Sequence, residues 1–548
     1  VGVLRGLAVT RGAIPIAAVL LLTLSSVVSA QDVEKWESAL EKGREAFDRS
    51  RLDEAEAYFK DAQAEARGLG PRDPRIALAS FWLGKTHAAQ GHFRDGRREV
   101  LRAHAGAPRG RGRVDPAHAA LSEALAEIEE AQGNILPAGY NADRAVRVCD
   151  QAFGRDDLAT AQSLALSARL SRKAGDIEKA RKNLEEALAI HEAAELVPDD
   201  PGLGHAAILR ELGLVHVARD EFAEAEKLLA RARTAFVAKE GKDHPDVASV
   251  DRALSALELR RGHPALARRH AERALAILEA TLGKDDLLVA QVVAELGEAC
   301  RQEGLREEAR THFERAAGVI AASEASRGPL LATTACGLAA IEQSLGQNLD
   351  AERRLVGVLE SQERAIGRGA GALVPVLTRL GAVQRDEGKT DAAKVELERA
   401  LELENTAVGK ESLPGAAAAL ELAKLYLAGS DPAKARPLVE RARKVREQLL
   451  GKDDPSLAEV LTVLGDLDDE EADPAGALRL RKRALELEKR SLAALEALEG
   501  VKPRDLLPAL GRLGPALRKL GHADEAAKVE ARIAKIAATE REPLAPPP

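Results

Sequence analysis

A small residue recurs along this 548-residue chain at Gly43, Gly84, Ala126, Ala168, Gly213, Ser255, Gly297, Ala339, Gly381, Ala423, Gly465 and Gly514, in steps of 41, 42, 42, 45, six of 42 and 49. A period of that length leaves few architectures open. One unit is too small to bury an apolar face alone, so successive units must stack and share an elongated core. Two further ladders hold phase with the first. Twelve residues on, the residue is Ala in eleven units, from Ala55 to Ala526, with Gly96 the exception. Seven beyond that it is Ala in ten units, Val358 and Ile533 being the others. Small side chains are required where two helix backbones approach closely.

Punctuation within the period defines the unit. Seven residues after the first ladder stand Gly91, Gly133, Gly175, Gly262, Gly304, Gly346, Gly388 and Gly521. Each unit therefore reads as helix A, a glycine turn and helix B. Between units, Asp precedes Pro at Asp73-Pro74, Asp115-Pro116, Asp200-Pro201 and Asp454-Pro455. Asp accepts from the free N–H groups of a first helical turn, and Pro loses nothing at the first helical position. A glycine about four residues upstream is expected to close the preceding helix in a left-handed conformation. Aromatics make up only 2% of the chain, which favours helix over strand, and the regular Gly and Pro argue against one continuous coiled coil.

This spacing resembles the tetratricopeptide repeat, whose signature places Leu-Gly on helix A and two Ala on helix B. Leu precedes the first-ladder residue in ten units, Lys42 and Ser167 being the exceptions. The 42-residue length is similar to the kinesin-light-chain type of repeat. That type also carries a Gly-x-x-His-Pro-x-x-Ala junction, present here as Gly241-Lys242-Asp243-His244-Pro245-Asp246-Val247-Ala248. The resemblance implies an all-α, right-handed superhelical solenoid of about twelve helix pairs, and a protein that binds other proteins in its concave face.

The ends read differently from the array. Arg5 and Arg11 precede an apolar run from Ala13 to Leu24, and small residues at Val28 and Ala30 suit cleavage before Gln31. Residues 1–30 are thus expected to be a signal peptide directing the chain to the periplasm or outside the cell, or an anchor if left uncleaved. The solenoid is expected over 31–536 and a Pro-rich disordered tail over 537–548.

Searching the chain for chemistry returns little. It contains no phosphate-binding glycine loop, nucleophile elbow or HExxH zinc motif. Cys149, Cys300 and Cys336 show no metal-ligand spacing and read as small buried hydrophobes. Without residues 1–30 the basic residues fall from 80 to 78 against 88 acids, a balance that disfavours nucleic acid. The acidic run from Asp466 to Asp473 lacks the central glycine of a calcium loop and reads as a solvated turn. The expectation is a non-catalytic scaffold with no cofactor and no metal, with a pure structural spacer as the alternative and an enzyme on a repeat frame a remote one.

Candidate binding residues follow from the resemblance. It implies that the groove is lined by helix A, at positions six and three before and one and four after the first-ladder residue. Those offsets select Arg169, Arg172, Arg210, Arg252, Glu298, Arg301 and Arg385, with Lys173 and Arg260 one place beyond. Such a stripe would attract an acidic segment, because guanidinium groups offer paired donors to carboxylates. The alternative is that the cations are solvated or paired with Glu on neighbouring helices. Seven of the thirteen aromatics fall in the first two units, and Phe47 and Phe81 map to groove positions there. They suit either an aromatic pocket for an anchor side chain or the apolar cap that an open solenoid end requires.

Overall fold

The computed structural model describes residues 30–48, 51–69, 73–107, 115–194, 203–219, 221–322, 329–408, 412–454, 456–471, 473–496 and 503–539. Residues 1–29 and 540–548, which make up most of the segments expected to be a signal peptide and a disordered tail, lie outside these residues, as do 195–202 and 497–502 at the two longer steps. The first six helix pairs are α1 (Ala30–Asp48) and α2 (Leu52–Leu69), α3 (Pro74–Ala89) and α4 (Phe93–Gly106), α5 (Ala117–Ala131) and α6 (Ile135–Phe153), α7 (Leu158–Lys173) and α8 (Ile177–Ala194), α9 (Leu203–Ala218) and α10 (Phe222–Glu240), and α11 (Pro245–Arg261) and α12 (Pro264–Leu282). The next six are α13 (Leu287–Gln302) and α14 (Arg306–Ala322), α15 (Pro329–Ser344) and α16 (Asn348–Ile366), α17 (Val374–Asp386) and α18 (Thr390–Leu403), α19 (Leu413–Ala428) and α20 (Pro432–Leu450), α21 (Leu457–Glu470) and α22 (Pro474–Glu496), and α23 (Leu507–Lys519) and α24 (Ala523–Thr539). The twelve units of the sequence are these twelve pairs, an all-α solenoid. Its last helix runs three residues past the boundary expected at 536.

The ladders are the packing. Every first-ladder residue lies on the first helix of its pair, and the two alanine ladders lie on the second. Ala138, Ala180, Ala225, Ala267 and Ala309 have no exposed surface, nor have Ala145, Ala187, Ala232, Ala274 and Ala316. Close approach is tightest where glycine faces an aromatic ring. Phe313 sits between Gly297 and Gly337, where added Cβ atoms would lie 3.1 and 2.4 Å from the ring. Any larger residue at Gly337 would expel that ring from the core.

Local chemistry sets the turns. All eight turn glycines read from the sequence have φ between +75° and +88°. In the tenth unit that place belongs to Ser430, which adopts φ +55° and is the one non-glycine with positive φ among the described residues. A Cβ is disfavoured there by roughly 1 kcal/mol, so Ser430→Gly should raise the urea midpoint by an amount equivalent to about 0.5–1 kcal/mol. An unchanged midpoint would show that the serine is unstrained.

Asp73, Asp115, Asp157, Asp286 and Asp454 each accept from the backbone N–H two residues on, at 2.8–2.9 Å. The linker glycines differ from expectation. Gly241, Gly283 and Gly451 do close their helices with φ of +82° to +88°, but ψ lies at 161–164° rather than in the left-handed helical well. The chain must leave helix B extended to reach the next capping residue, and glycine alone adopts that combination easily.

The stack curls until its two edges meet. Ala372 N–H donates to the Gln132 carbonyl at 3.1 Å, and Gly371 N–H donates to Asn134 Oδ1 at 3.0 Å. This seam joins the turn of unit three to the linker between units eight and nine. A Cβ on Gly371 would lie 2.3 Å from the Gly133 carbonyl oxygen, so the backbones are in direct contact. Further along, Arg260 at the end of unit six's helix A reaches Asp454 at 3.2 Å and the Leu449 carbonyl at 3.3 Å. Asp454 thereby holds the turn leading into α21 and clasps the opposite edge at once.

Candidate binding groove

Helix A of each unit faces inward, and the groove it lines is walled by alternating charge. Arg169 and Lys173 both reach Glu130 at 2.8 Å. Arg172 and Arg210 converge on Glu211 at 3.4 and 3.1 Å, and Arg210 also donates to Ser249 Oγ at 2.8 Å. Arg252 Nε donates to Glu295 at 2.9 Å, and Arg301 pairs with Glu298 at 2.6 Å. Arg385 holds Asp386 at 2.7 Å and Glu421 as well. Together with the Arg260 clasp, all eight candidate cations are paired with carboxylates. Most of these pairs cross from one unit to the next, so the stripe stitches successive helices together.

The titration of these groups follows. Burial works against ionisation of Glu211, but the guanidinium groups of Arg210, Arg172 and Arg169 overcome it and hold the carboxyl at about 2. Burial likewise opposes Glu130, and Arg169 with Lys173 keeps it below the usual range. A half-buried pair of this kind resists removal of one partner, because the other charge is left desolvated. The stripe is therefore a poor lure for an acidic ligand, which would have to displace carboxylates already in place.

Between units two and five the groove deepens into a cavity of about 220 Å³. Phe81 and Lys85 of α3, Glu123 and Glu127 of α5, Gln162 and Arg169 of α7, and Ile208 and Arg210 of α9 line it, with small residues such as Ala124 and Ala165 forming its floor. The cavity brings together Phe81 and two of the candidate arginines. Phe47 is elsewhere. It packs on Trp82 with centroids 5.7 Å apart, inside an aromatic cluster that also stacks Phe59 on Trp82 at 5.8 Å. The N-terminal aromatics thus divide, Phe47 and Phe59 filling the end of the stack and Phe81 facing the groove.

Sequence models of the tetratricopeptide repeat match residues 117–193, 204–280, 374–406 and 415–490. The chain is a tetratricopeptide repeat protein. The matching models describe the repeat in general and do not single out the 42-residue kinesin-light-chain type. No curated protein sequence matches this repeat protein. Among solved structures it is similar to BtubC (BKLC) from P. vanneervenii, at 22% identity over 43% of this chain and 92% of that one, with a TM-score of 0.34. It is also similar to a Rap protein complexed with competence and sporulation factor, at 14% identity over 69% of this chain and 98% of that one, with a TM-score of 0.46.

Other residues singled out in the sequence are absorbed by the repeat frame. Cys149 and Cys300 are buried, and burial pushes their thiols up to about 11 and 12. The acidic run is not simply solvated, since Asp466 and Asp469 pair with Arg481 and Asp468 with Arg436. Among the described residues no cluster of His, Cys, Asp or Glu is placed to hold a metal ion, and no helix is long and apolar enough to cross a membrane.

Glu123 and Glu127 were selected by neither charge nor aromaticity in the sequence, yet they occupy the same offsets, three before and one after Ala126. Glu123 accepts from Ser163 Oγ at 2.6 Å. Burial, reinforced by Glu127 and opposed by Ser163 and Lys85, raises its carboxyl to about 7. A native carboxyl raised in this way binds a proton that the unfolded chain has released, so stability falls as pH rises from about 4.5 to 7. Glu123→Gln should therefore stabilise the protein at pH 8 by about 2 kcal/mol, discounting for partial solvent contact, and by almost nothing at pH 5. Urea titrations at both values check this, and an equal effect at the two would refute the assignment.

Proposed function

We propose that this protein is a non-catalytic scaffold that holds a segment of a partner protein in its concave groove, and that it acts outside the cytoplasm. The cavity between units two and five carries the binding reading. Its walls come from four successive repeats, so it exists only because the array is stacked, and it opens onto the face that repeat solenoids leave free. The apolar floor and polar rim suit one anchoring side chain. The basic run and small-residue cleavage pattern in residues 1–30 support export.

Replacing Ala165 with a photo-crosslinking amino acid tests the site. Capture of a partner should occur from position 165 and not from position 227, an exposed lysine on α10. Equal capture from both positions, or none from position 165, would remove the groove from the function. Export is tested by fractionating cells that express the chain with and without residues 1–30, and the shortened chain should stay in the cytoplasm. Reversing the paired arginines is a poor test of binding, because Arg252→Glu would face Glu295 and disturb the stack itself.

A further inference from the structure

We infer that the cavity between units two and five accepts a cationic side chain, so that the partner segment carries a Lys or Arg among apolar residues. This rests on the groove-binding reading and adds the chemistry of its anchor. Counting the charges that are not already paired decides the sign. Arg169 is held by Glu130, and Arg210 and Glu211 are held by each other. Glu127 is 92% buried, lines the cavity and has neither a hydrogen bond nor an ion pair among the described residues. Glu123, one helical turn before it, accepts only the neutral hydroxyl of Ser163. Against these two carboxyls stands one cation without an ion pair, Lys85, whose Nζ lies over the rings of Phe81 and Trp82 at 5.9 and 6.0 Å.

Glu127 feels the charge of Arg169 but makes no direct contact with it, and a guanidinium or ammonium entering the cavity would supply that contact. The rest of the cavity suits the stem of such a side chain. Ala124, Ala165, Leu166 and Ile208 offer apolar contact, and Phe81 offers a ring whose face is already used by one ammonium. Long basic side chains bury their methylenes against surfaces of this kind while the charged head meets a polar group. An acidic anchor would meet two carboxyls, while the arginines beside them, Arg169 and Arg210, already hold Glu130 and Glu211.

The sign is tested by selecting a random twelve-residue peptide library on the immobilised full chain and measuring the affinity of the enriched peptides. Lys or Arg should be enriched at one position flanked by apolar residues. Glu127→Gln should weaken those peptides about tenfold, the usual worth of a charge-assisted contact. Lys85→Met should tighten them several-fold, and Ala165→Leu should block them by filling the cavity. An anion site would respond in the opposite sense, losing affinity on Lys85→Met and gaining it on Glu127→Gln. Peptides that Ala165→Leu blocks but that carry acidic or neutral anchors would overturn the cationic inference and leave the groove reading standing. Failure to enrich any peptide, or enrichment indifferent to Ala165→Leu, would overturn both.

Discussion

Replacing Gly371 with valine is expected to open the superhelix while leaving its helices intact. The reason is the seam between unit three and the linker that joins units eight and nine. A Cβ at residue 371 falls 2.3 Å from the Gly133 carbonyl oxygen and 2.9 Å from Val408 Cγ2, and the first of these is backbone that cannot rotate away. Gly371 itself does not have a positive φ, so the substitution carries no left-handed strain and acts by collision alone. The molecule can relieve that collision by separating its two edges, and the cost is then capped at the free energy of the seam. Two hydrogen bonds at about 1 kcal/mol each, with the apolar contact of Ala372 and Val408, place that at roughly 2–4 kcal/mol. Solution scattering should report a larger radius of gyration, with far-ultraviolet ellipticity unchanged.

Gly388→Ala is the control. Gly388 has φ +75° with no heavy atom within 4 Å of an added Cβ, so the variant strains a turn by about 1 kcal/mol without touching the seam. Its radius of gyration should stay that of the parent. If Gly371→Val also leaves the dimensions unchanged, the two edges do not hold each other in solution.

The seam also marks where sequence reading stops. Ladders, glycine turns and aspartate caps are legible because each is a local requirement imposed once per unit, and twelve repetitions separate it from chance. Gln132 and Ala372 meet across 240 residues through a backbone contact that no periodicity encodes. Reading the groove from arginines alone gave a basic stripe because it passed over the balancing carboxylates, of which Glu130 and Glu298 stand at groove offsets and others do not. Glu211, Glu295 and Glu421 all stand two residues before their first-ladder residue, and they receive Arg172, Arg252 and Arg385 from the preceding unit. The signal was present at that offset, and for Glu123 and Glu127 in unit three it was present three before and one after Ala126. Only the stacking of four units shows which of these charges remain without a partner.

Deleting residues 298–339, one full period, should leave a cooperatively melting helical protein whose edges no longer meet. The cut joins Gly297 to Ala340, so Gly297 takes the place of Ala339 and faces Leu355, the glycine-to-leucine contact already made by Gly213 with Leu229 and Gly381 with Leu397. Stacking is thereby conserved on both sides. The partners of the seam, however, become separated by one unit fewer, so Gly371 reaches the level of a neighbouring turn instead of Gly133. Deleting 298–331 removes a length out of phase with the ladders and puts Gly297 on the same helix as Ala339, eight residues before it. Eight residues rotate the second small residue by about 80°, so one of the two must face away from helix B. That chain should melt broadly and at lower temperature, and comparable melting of the two deletions would refute the assigned period. Combining the 42-residue deletion with Gly371→Val separates the two terms. If the deletion has already broken the seam, valine at 371 meets only the Val408 side chain, which can give way, and the double variant should closely match the deletion alone in both stability and dimensions. An additive loss would place the valine's effect inside unit nine rather than across the seam.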